Sequence, residues 1–427
     1  MLKVTRAHIS SFYSKSSPLA VHPLNGRNIL RNKTIIISVF IFTLACIFLA
    51  PRFSNGSEPA VIGVMHWENF TYAEMMRNSY EMALEDISRN GGIKGRPLKL
   101  VYADDQGSRL AGEKALRDLV KEKKPVILVG GYGSSNTIYT AGMADKLDIP
   151  FLISTAADDR ITQRKWKNIY RMNPPAKEYA RGVEELLLKK IKPKSLSIIY
   201  ENSPYGTGGA LQMMWFCREH DIEIRKIIPY HKERTDTEYF HKLLVPLKDD
   251  TPDAIYMVSY LKDAVSIVKK LRELKINSML VGGAGGFTSP EFIEMAGPAA
   301  DNLLTATLWA PQLPYRGTKD YYDRYVNRYG TQPDYHGAEA YSVLVVAADA
   351  LNRAKSIDPA DIRVALDKTD MKTVFGPVNF KAYGKFERQN SFPTMVLQAI
   401  NNKYECVWPG AIATAKFMYP SEGNRNQ

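Results

Sequence analysis

The chain of 427 residues carries 57 Lys and Arg against 45 Asp and Glu, a net charge of +12. Seven of the basic groups (Lys3, Arg6, Lys15, Arg27, Arg31, Lys33, Arg52) fall in residues 1–56, where no acidic residue occurs; the remaining 371 residues are only +5, which argues against a nucleic-acid-binding surface. With 45% hydrophobic residues, 28 Gly and 24 Pro, the composition excludes a disordered or fibrous chain and suits about two domains, and three cysteines exclude a disulfide scaffold.

The first element in chain order is residues 34–50, TIIISVFIFTLACIFLA, 17 residues without a charge and just long enough to cross a bilayer. Most of the basic groups precede it in the leader 1–33, so the positive-inside bias places the N-terminus in the cytoplasm and everything after Pro51 outside. The leader is long for a signal peptide and no small-x-small site follows directly. An uncleaved anchor and a long signal, cut near Ser54-Asn55-Gly56, both stay open.

From Ala60 onward, short β-branched runs alternate with amphipathic stretches, the pattern of a parallel sheet flanked by helices. The strands are expected at 61–65, 98–103, 125–130, 150–154, 196–200, 223–228, 254–259 and 278–283. Helices are expected between them at 71–89, 108–122, 178–190, 206–219, 236–247 and 262–274. Right-handed crossovers make these doubly wound sheets. The run MNPPAKEY at 172–179 interrupts the rhythm with two prolines and reads as a change of lobe. The last third has helices at 317–329, 337–354 and 359–368, then the strand-like runs TVFGPVNF, PTMVLQAI and KYECVW.

Ligands of open α/β sheets sit beyond the carboxyl ends of the strands, so the informative loops are those after the strand runs. They hold His66-Trp67-Glu68-Asn69-Phe70, Gly131-Tyr132-Gly133-Ser134-Ser135 and Thr155-Ala156-Ala157-Asp158-Asp159. The turn into a helix at Ser134 reads either as an anion site built from a serine and free backbone N–H groups or as a plain helix cap. The aromatics Trp67, Tyr132, Tyr205 and Tyr260 are candidates for ligand contact or for packing. No GxSxG, HExxH, CxxC pair or Walker A pattern occurs, the SxxK matches at 259–262 and 266–269 lack partner motifs, and neither a cofactor nor a metal is expected. Cys217 and Cys406 read as small buried hydrophobes.

The succession VIGVM, ALEDISRNGGIKGRPLKLVYADDQ, VILVGGYGSSNT, IPFLISTAADDRIT, NIYRMNPPAKEYARG and SIIYENSPYGTGGA resembles the periplasmic leucine/isoleucine/valine-binding protein family, the extracellular solute-binding proteins of ABC importers. The resemblance runs from about residue 60 to about 400. It implies two α/β lobes joined by three crossings, near 171–174, 305–309 and 374–378, with the ligand held by hinge closure. Lobe 1 is then 58–172 with 306–374, and lobe 2 is 173–305 with 375–420.

The resemblance also carries a site. It implies that Ser134 holds a ligand carboxylate, that the Ala156 carbonyl receives an ammonium group, and that Tyr72, Tyr205 and Tyr260 line the pocket. Two departures stand out: Asp158 occupies the place of a threonine, and Ala284 that of a second-lobe glutamate. Asp158 then either supplies the missing counter-charge, or it caps the next helix and the ligand is not an α-amino acid. Bulk at His66-Trp67-Glu68 narrows the pocket or offers a stacking surface. The family's disulfide positions fall on Gly107 and Gly133, so that bridge is absent.

The function so implied is capture of a small polar solute, an amino acid or amide-like, for delivery to an ABC permease, with no bond made or broken. A ligand-sensing receptor on the same fold is the alternative. The body is expected to be a monomer in the periplasm or on the outer face of the cytoplasmic membrane, attached through 34–50 if that segment is retained.

Overall fold

The structure is a computed structural model that describes residues 58–231, 236–391 and 393–419. The leader 1–33 and the apolar segment 34–50 lie outside the described residues. Among the described residues no helix is long and apolar enough to cross a membrane.

The chain begins with β1 (Ala60–His66), α1 (Ala73–Arg89), β2 (Leu98–Asp104), α2 (Arg109–Lys123), β3 (Ile127–Gly130), α3 (Ser134–Lys146), β4 (Phe151–Ile153) and β5 (Ile169–Arg171). It continues with α4 (Arg181–Leu186), β6 (Ser195–Glu201), α5 (Pro204–Glu219), β7 (Glu223–Tyr230), α6 (Thr237–Leu244), β8 (Ala254–Val258), α7 (Leu261–Glu273), β9 (Met279–Gly282), α8 (Pro290–Ala296) and β10 (Leu304–Thr307). Then come α9 (Thr318–Tyr329), α10 (Tyr335–Arg353), α11 (Pro359–Asp367), β11 (Asp370–Lys372), β12 (Pro377–Asn379), β13 (Lys381–Tyr383), β14 (Phe386–Gln389), β15 (Met395–Ile400) and β16 (Lys403–Trp408).

Each of the eight expected runs forms a strand. Those in the middle of a sheet, such as β3 and β8, are buried along their whole length because helices cover both faces. The strands form two seven-stranded sheets, ordered β13-β14-β5-β4-β3-β1-β2 and β16-β15-β10-β9-β8-β6-β7. The pairs β1–β2, β1–β3, β3–β4 and β4–β5 are parallel, as are their counterparts in the second sheet. Each lobe therefore repeats one doubly wound order, with its reversal between β1 and β3 in the first and between β6 and β8 in the second.

The helices are placed by their apolar faces. In α1, Met76, Tyr80, Ala83 and Ile87 recur at helical spacing and are buried. The face that they form packs on α10, which is buried along most of its length between α1 and the first sheet. The Asp334 side chain starts α10 by accepting from the His336 N–H at 2.9 Å.

The chain passes between the sheets three times, after β5, after β10 and after β14. The third passage corrects the crossing expected at 374–378. Residues 370–379 form the local hairpin β11–β12, and β14 then pairs with β5 through Gln389 and Arg171, so the first lobe extends to residue 389. Gly376-Pro377 marks a tight turn within a lobe rather than a hinge. Cys217 and Cys406 are buried free thiols, and burial raises both above their ordinary pKa, Cys406 to about 11.

Candidate functional site

The loops at the two reversal points face each other. From the first lobe come the segment after β1, with Trp67, Phe70 and Tyr72, and the turn between β3 and α3, with Tyr132 and Ser134. From the second come Tyr205 in the first turn of α5 and Tyr260 at the start of α7. Tyr72 reaches across to donate to the Gly285 carbonyl at 3.5 Å, and Thr288 donates to Asp334 at 3.2 Å. The lobes thus meet in a closed arrangement.

Aromatic rings line this junction. Phe70 stacks on Tyr132 at 4.0 Å and Trp67 on Phe70 at 5.5 Å. Tyr132 lies 6.5 Å from Tyr260, which lies 5.6 Å from Tyr205. Tyr72 stacks on His336 at 3.9 Å with the planes 14° apart. Burial raises the phenols of Tyr72, Tyr132, Tyr205 and Tyr260 well above their ordinary value, so they are neutral hydrogen-bond donors. The Trp67 indole occupies the space over Gly107, where an added Cβ would lie 2.6 Å from the ring.

Ser134 is buried, and its hydroxyl accepts from the N–H groups of Ala157 at 3.0 Å and Asp158 at 3.2 Å. With both lone pairs engaged, its single O–H points the group toward acceptors, at a helix start where first-turn N–H groups favour negative charge. The same hydroxyl shapes the loop after β4.

Two groups of that loop already have partners within the protein. Asp158 accepts from the Arg160 N–H at 2.9 Å and forms an ion pair with the exposed Arg160 guanidinium at 2.6 Å. It therefore caps the 3-10 turn Asp159–Ile161. The carbonyl of Ala156 is taken by Arg171, which donates to it at 3.2 Å and to the Asp158 carbonyl at 2.7 Å. Arg171 is fully buried and also donates to Gln389 at 2.7 Å and Thr162 at 3.0 Å. Burial lowers its pKa, an effect opposed by the charges of Asp159 and Asp158. Gln389 in turn donates to the carbonyls of Asn173 and Asn390, so one network ties the first and third crossings together.

The place of the expected second-lobe glutamate is held by Ala284 at φ +65°, ψ −147°. The loop passes so close to Tyr260 that a Cβ on Gly286 would lie 2.3 Å from the Tyr260 carbonyl carbon. Sequence reasoning missed Tyr179, which follows the first crossing and lies 6.1 Å from Tyr205, and Tyr335, His336 and Glu339 on α10. The one available signal was the Asp-Tyr-His start of α10, which clusters polar and aromatic groups at a helix cap. Among the described residues no group of three or more His, Cys, Asp or Glu is arranged to hold a metal ion.

Fold and site together define a two-lobed binding protein, and comparison with known proteins gives the class its family. Residues 69–403 match the model of the periplasmic binding protein family, and the chain belongs to that family. Curated relatives include Leu/Ile/Val-binding protein homolog 7 of Brucella melitensis, 27% identical over 80% of this chain and 88% of the relative, and homolog 8 of Brucella abortus, 26% identical over 79% and 87%. The same fold occurs in the leucine-binding protein of Thermotoga maritima (TM-score 0.73, 19% identity, 81% of this chain and 97% of that one). It also occurs in a branched-chain amino acid transporter substrate-binding protein of Streptococcus pneumoniae in complex with isoleucine (0.72, 22%, 82% and 100%). A solute-binding protein of an ABC transporter from R. palustris in complex with benzoate shares it too (0.72, 18%, 84% and 98%).

Proposed function

We propose that this protein is the extracytoplasmic solute-binding component of an ABC importer. It captures a small polar ligand, an amino acid or amide-like solute, between its lobes and presents it to a membrane permease without chemical change. The observation that carries the reading is the junction itself: the two reversal loops face each other, with the Ser134 hydroxyl and four buried or half-buried tyrosines converging on it. Isoleucine and benzoate, the ligands of two proteins that share the fold, have a carboxylate in common, and a hydroxyl at a helix start is suited to hold one. Ser134, Tyr72, Tyr132, Tyr205, Tyr260 and Trp67 are the proposed contacts. Ala156 and Asp158 shape the loop beneath them.

The body works in the periplasm or on the outer face of the cytoplasmic membrane. Residues 34–50 attach it there when retained, with the leader inside and the permease within reach of the tethered lobes. Calorimetric titration of residues 57–427 with amino acids, amides and small carboxylates tests the reading. Binding of at least one class, weakened about tenfold or more by Ser134→Ala, is expected. No heat with any member of the panel would sink it.

A further inference from the structure

The carboxylate expected from the second lobe is absent at Ala284, Asp158 is neutralised by Arg160, and the Ala156 carbonyl serves Arg171. Each of the three partners that the resemblance implies for a cationic group is thus missing or already engaged. The hinge end of the same cleft holds another acid. Glu339 lies one turn beyond Tyr335 on α10, is fully buried, and accepts through Oε2 from the Thr155 hydroxyl at 2.9 Å. Its Oε1 is buried without a hydrogen-bond partner.

A second orphan sits beside it. Asn173, on the first crossing, donates to the Thr155 carbonyl at 2.6 Å and to the Tyr179 hydroxyl at 2.5 Å, which leaves its buried Oδ1 without a partner. Two buried oxygens without partners therefore flank one residue, Thr155, the first through its hydroxyl and the second through its carbonyl. Buried polar atoms are rarely left unpaired, and two around a single residue call for a ligand group that engages both.

We propose that Glu339 and Asn173 seat the ligand's nitrogen, so that the solute bears a primary ammonium or a similar N–H-rich cation at its hinge-side end and a carboxylate at Ser134. The inference rests on the solute-binding reading and adds the orientation and charge of the ligand. Asn173 Oδ1 and Glu339 Oε1 accept from the cation, while Thr155 holds the carboxyl in place. Burial keeps the Glu339 carboxyl protonated well above the ordinary range, with Asp334 reinforcing this and the Thr155 hydrogen bond opposing it. The other titratable groups coupled to it are the phenols of Tyr80 on α1 and Tyr179 after the first crossing, both raised by burial and neutral. Arrival of a cation supplies the missing counter-charge, so the carboxyl ionises and one proton passes to solvent.

The probes are L-leucine and 4-methylpentanoate, the same carboxylate without the amine, titrated calorimetrically into wild type, Glu339→Gln and Asn173→Ala in two buffers of different ionisation enthalpy. Leucine is expected to bind wild type with release of about one proton, and Glu339→Gln to bind it at least about tenfold more weakly without proton release. The ligand-free melting temperature of Glu339→Gln should be unchanged or higher, since glutamine replaces a neutral acid. Leucine affinity in Glu339→Gln within about twofold of wild type, or wild type binding 4-methylpentanoate but not leucine, would overturn the proposal while leaving solute capture intact. Failure of wild type to bind either probe, or any amino acid or carboxylate of the wider panel, would overturn both.

Discussion

The Arg171 guanidinium donates to the main-chain oxygen of Ala156 at 3.2 Å, so the hinge engages an oxygen that is also expected to meet the ligand. Arg171 satisfies four acceptors, the carbonyls of Ala156 and Asp158 and the side chains of Thr162 and Gln389. Arg171→Met keeps much of the stem volume and leaves all four without this donor. The expected loss is about 3 kcal/mol or more, read by urea denaturation. A change below about 1 kcal/mol would show that water replaces the guanidinium at little cost.

Ser134→Ala should be felt twice. Two buried N–H groups, those of Ala157 and Asp158, lose their acceptor, which costs about 1–3 kcal/mol in the ligand-free protein. Ligand affinity should fall by more than that stability loss accounts for. Ser134→Thr, which restores the hydroxyl, is the control: recovery of stability without recovery of binding would separate the two roles.

Ala284 occupies a backbone region that only glycine visits without strain, at φ +65° and ψ −147°. Ala284→Gly is expected to raise stability by about 1 kcal/mol, the relief of strain exceeding the added chain entropy. Differential scanning calorimetry that shows a lower melting temperature for the glycine variant would contradict this.

Asp105, buried at the start of the loop after β2, has its carboxyl pushed up to about 7, chiefly by burial and against the hydrogen bond from the Gly107 N–H. Its folded pKa therefore exceeds its unfolded value of 3.8. The associated stability is complete below the unfolded pKa and is lost as pH rises through about 7, a change on the order of 4 kcal/mol at most. Asp105→Asn keeps the acceptor for Gly107 and should flatten the fall in urea midpoint between pH 5 and pH 8. His66 acts at the other end of the scale: burial lowers it to about 4, so its contribution is present above 6.5 and disappears as pH falls through about 4.

Strand runs such as VIGVM and AIYMVS were legible because a parallel strand buried on both faces must be apolar throughout, and all eight lie where those runs stand. The hairpin of β13 and β14 was not. Its segments are three and four residues long, mixed in polarity and joined to the first sheet by one pairing, Gln389 with Arg171. The crossing is consequently expected at 374–378, where the chain instead turns locally between β11 and β12. In the site, Trp67, Tyr132, Tyr205 and Tyr260 could be found because a strand end fixes the position of the loop that follows it. Glu339 could not, since a glutamate four residues into an amphipathic helix reads as solvated until the packing of α10 between α1 and the sheet removes the water. Arg171 is hidden for the same reason: its partners arrive from residues 156–162 and from 389, and no spacing announces them.

With three passages between the sheets, an odd number, the described chain enters at Ala60 in one lobe and leaves beyond Trp408 in the other. The two ends therefore ride on different bodies, and any swing of one lobe against the other is converted into a change of end-to-end distance. In residues 57–427, where Cys217 and Cys406 are both buried, thiols introduced at the exposed Lys114 and Lys269 would take up donor and acceptor dyes selectively. The molecule would then serve as a distance gauge for its own solute, calibrated by its hinge.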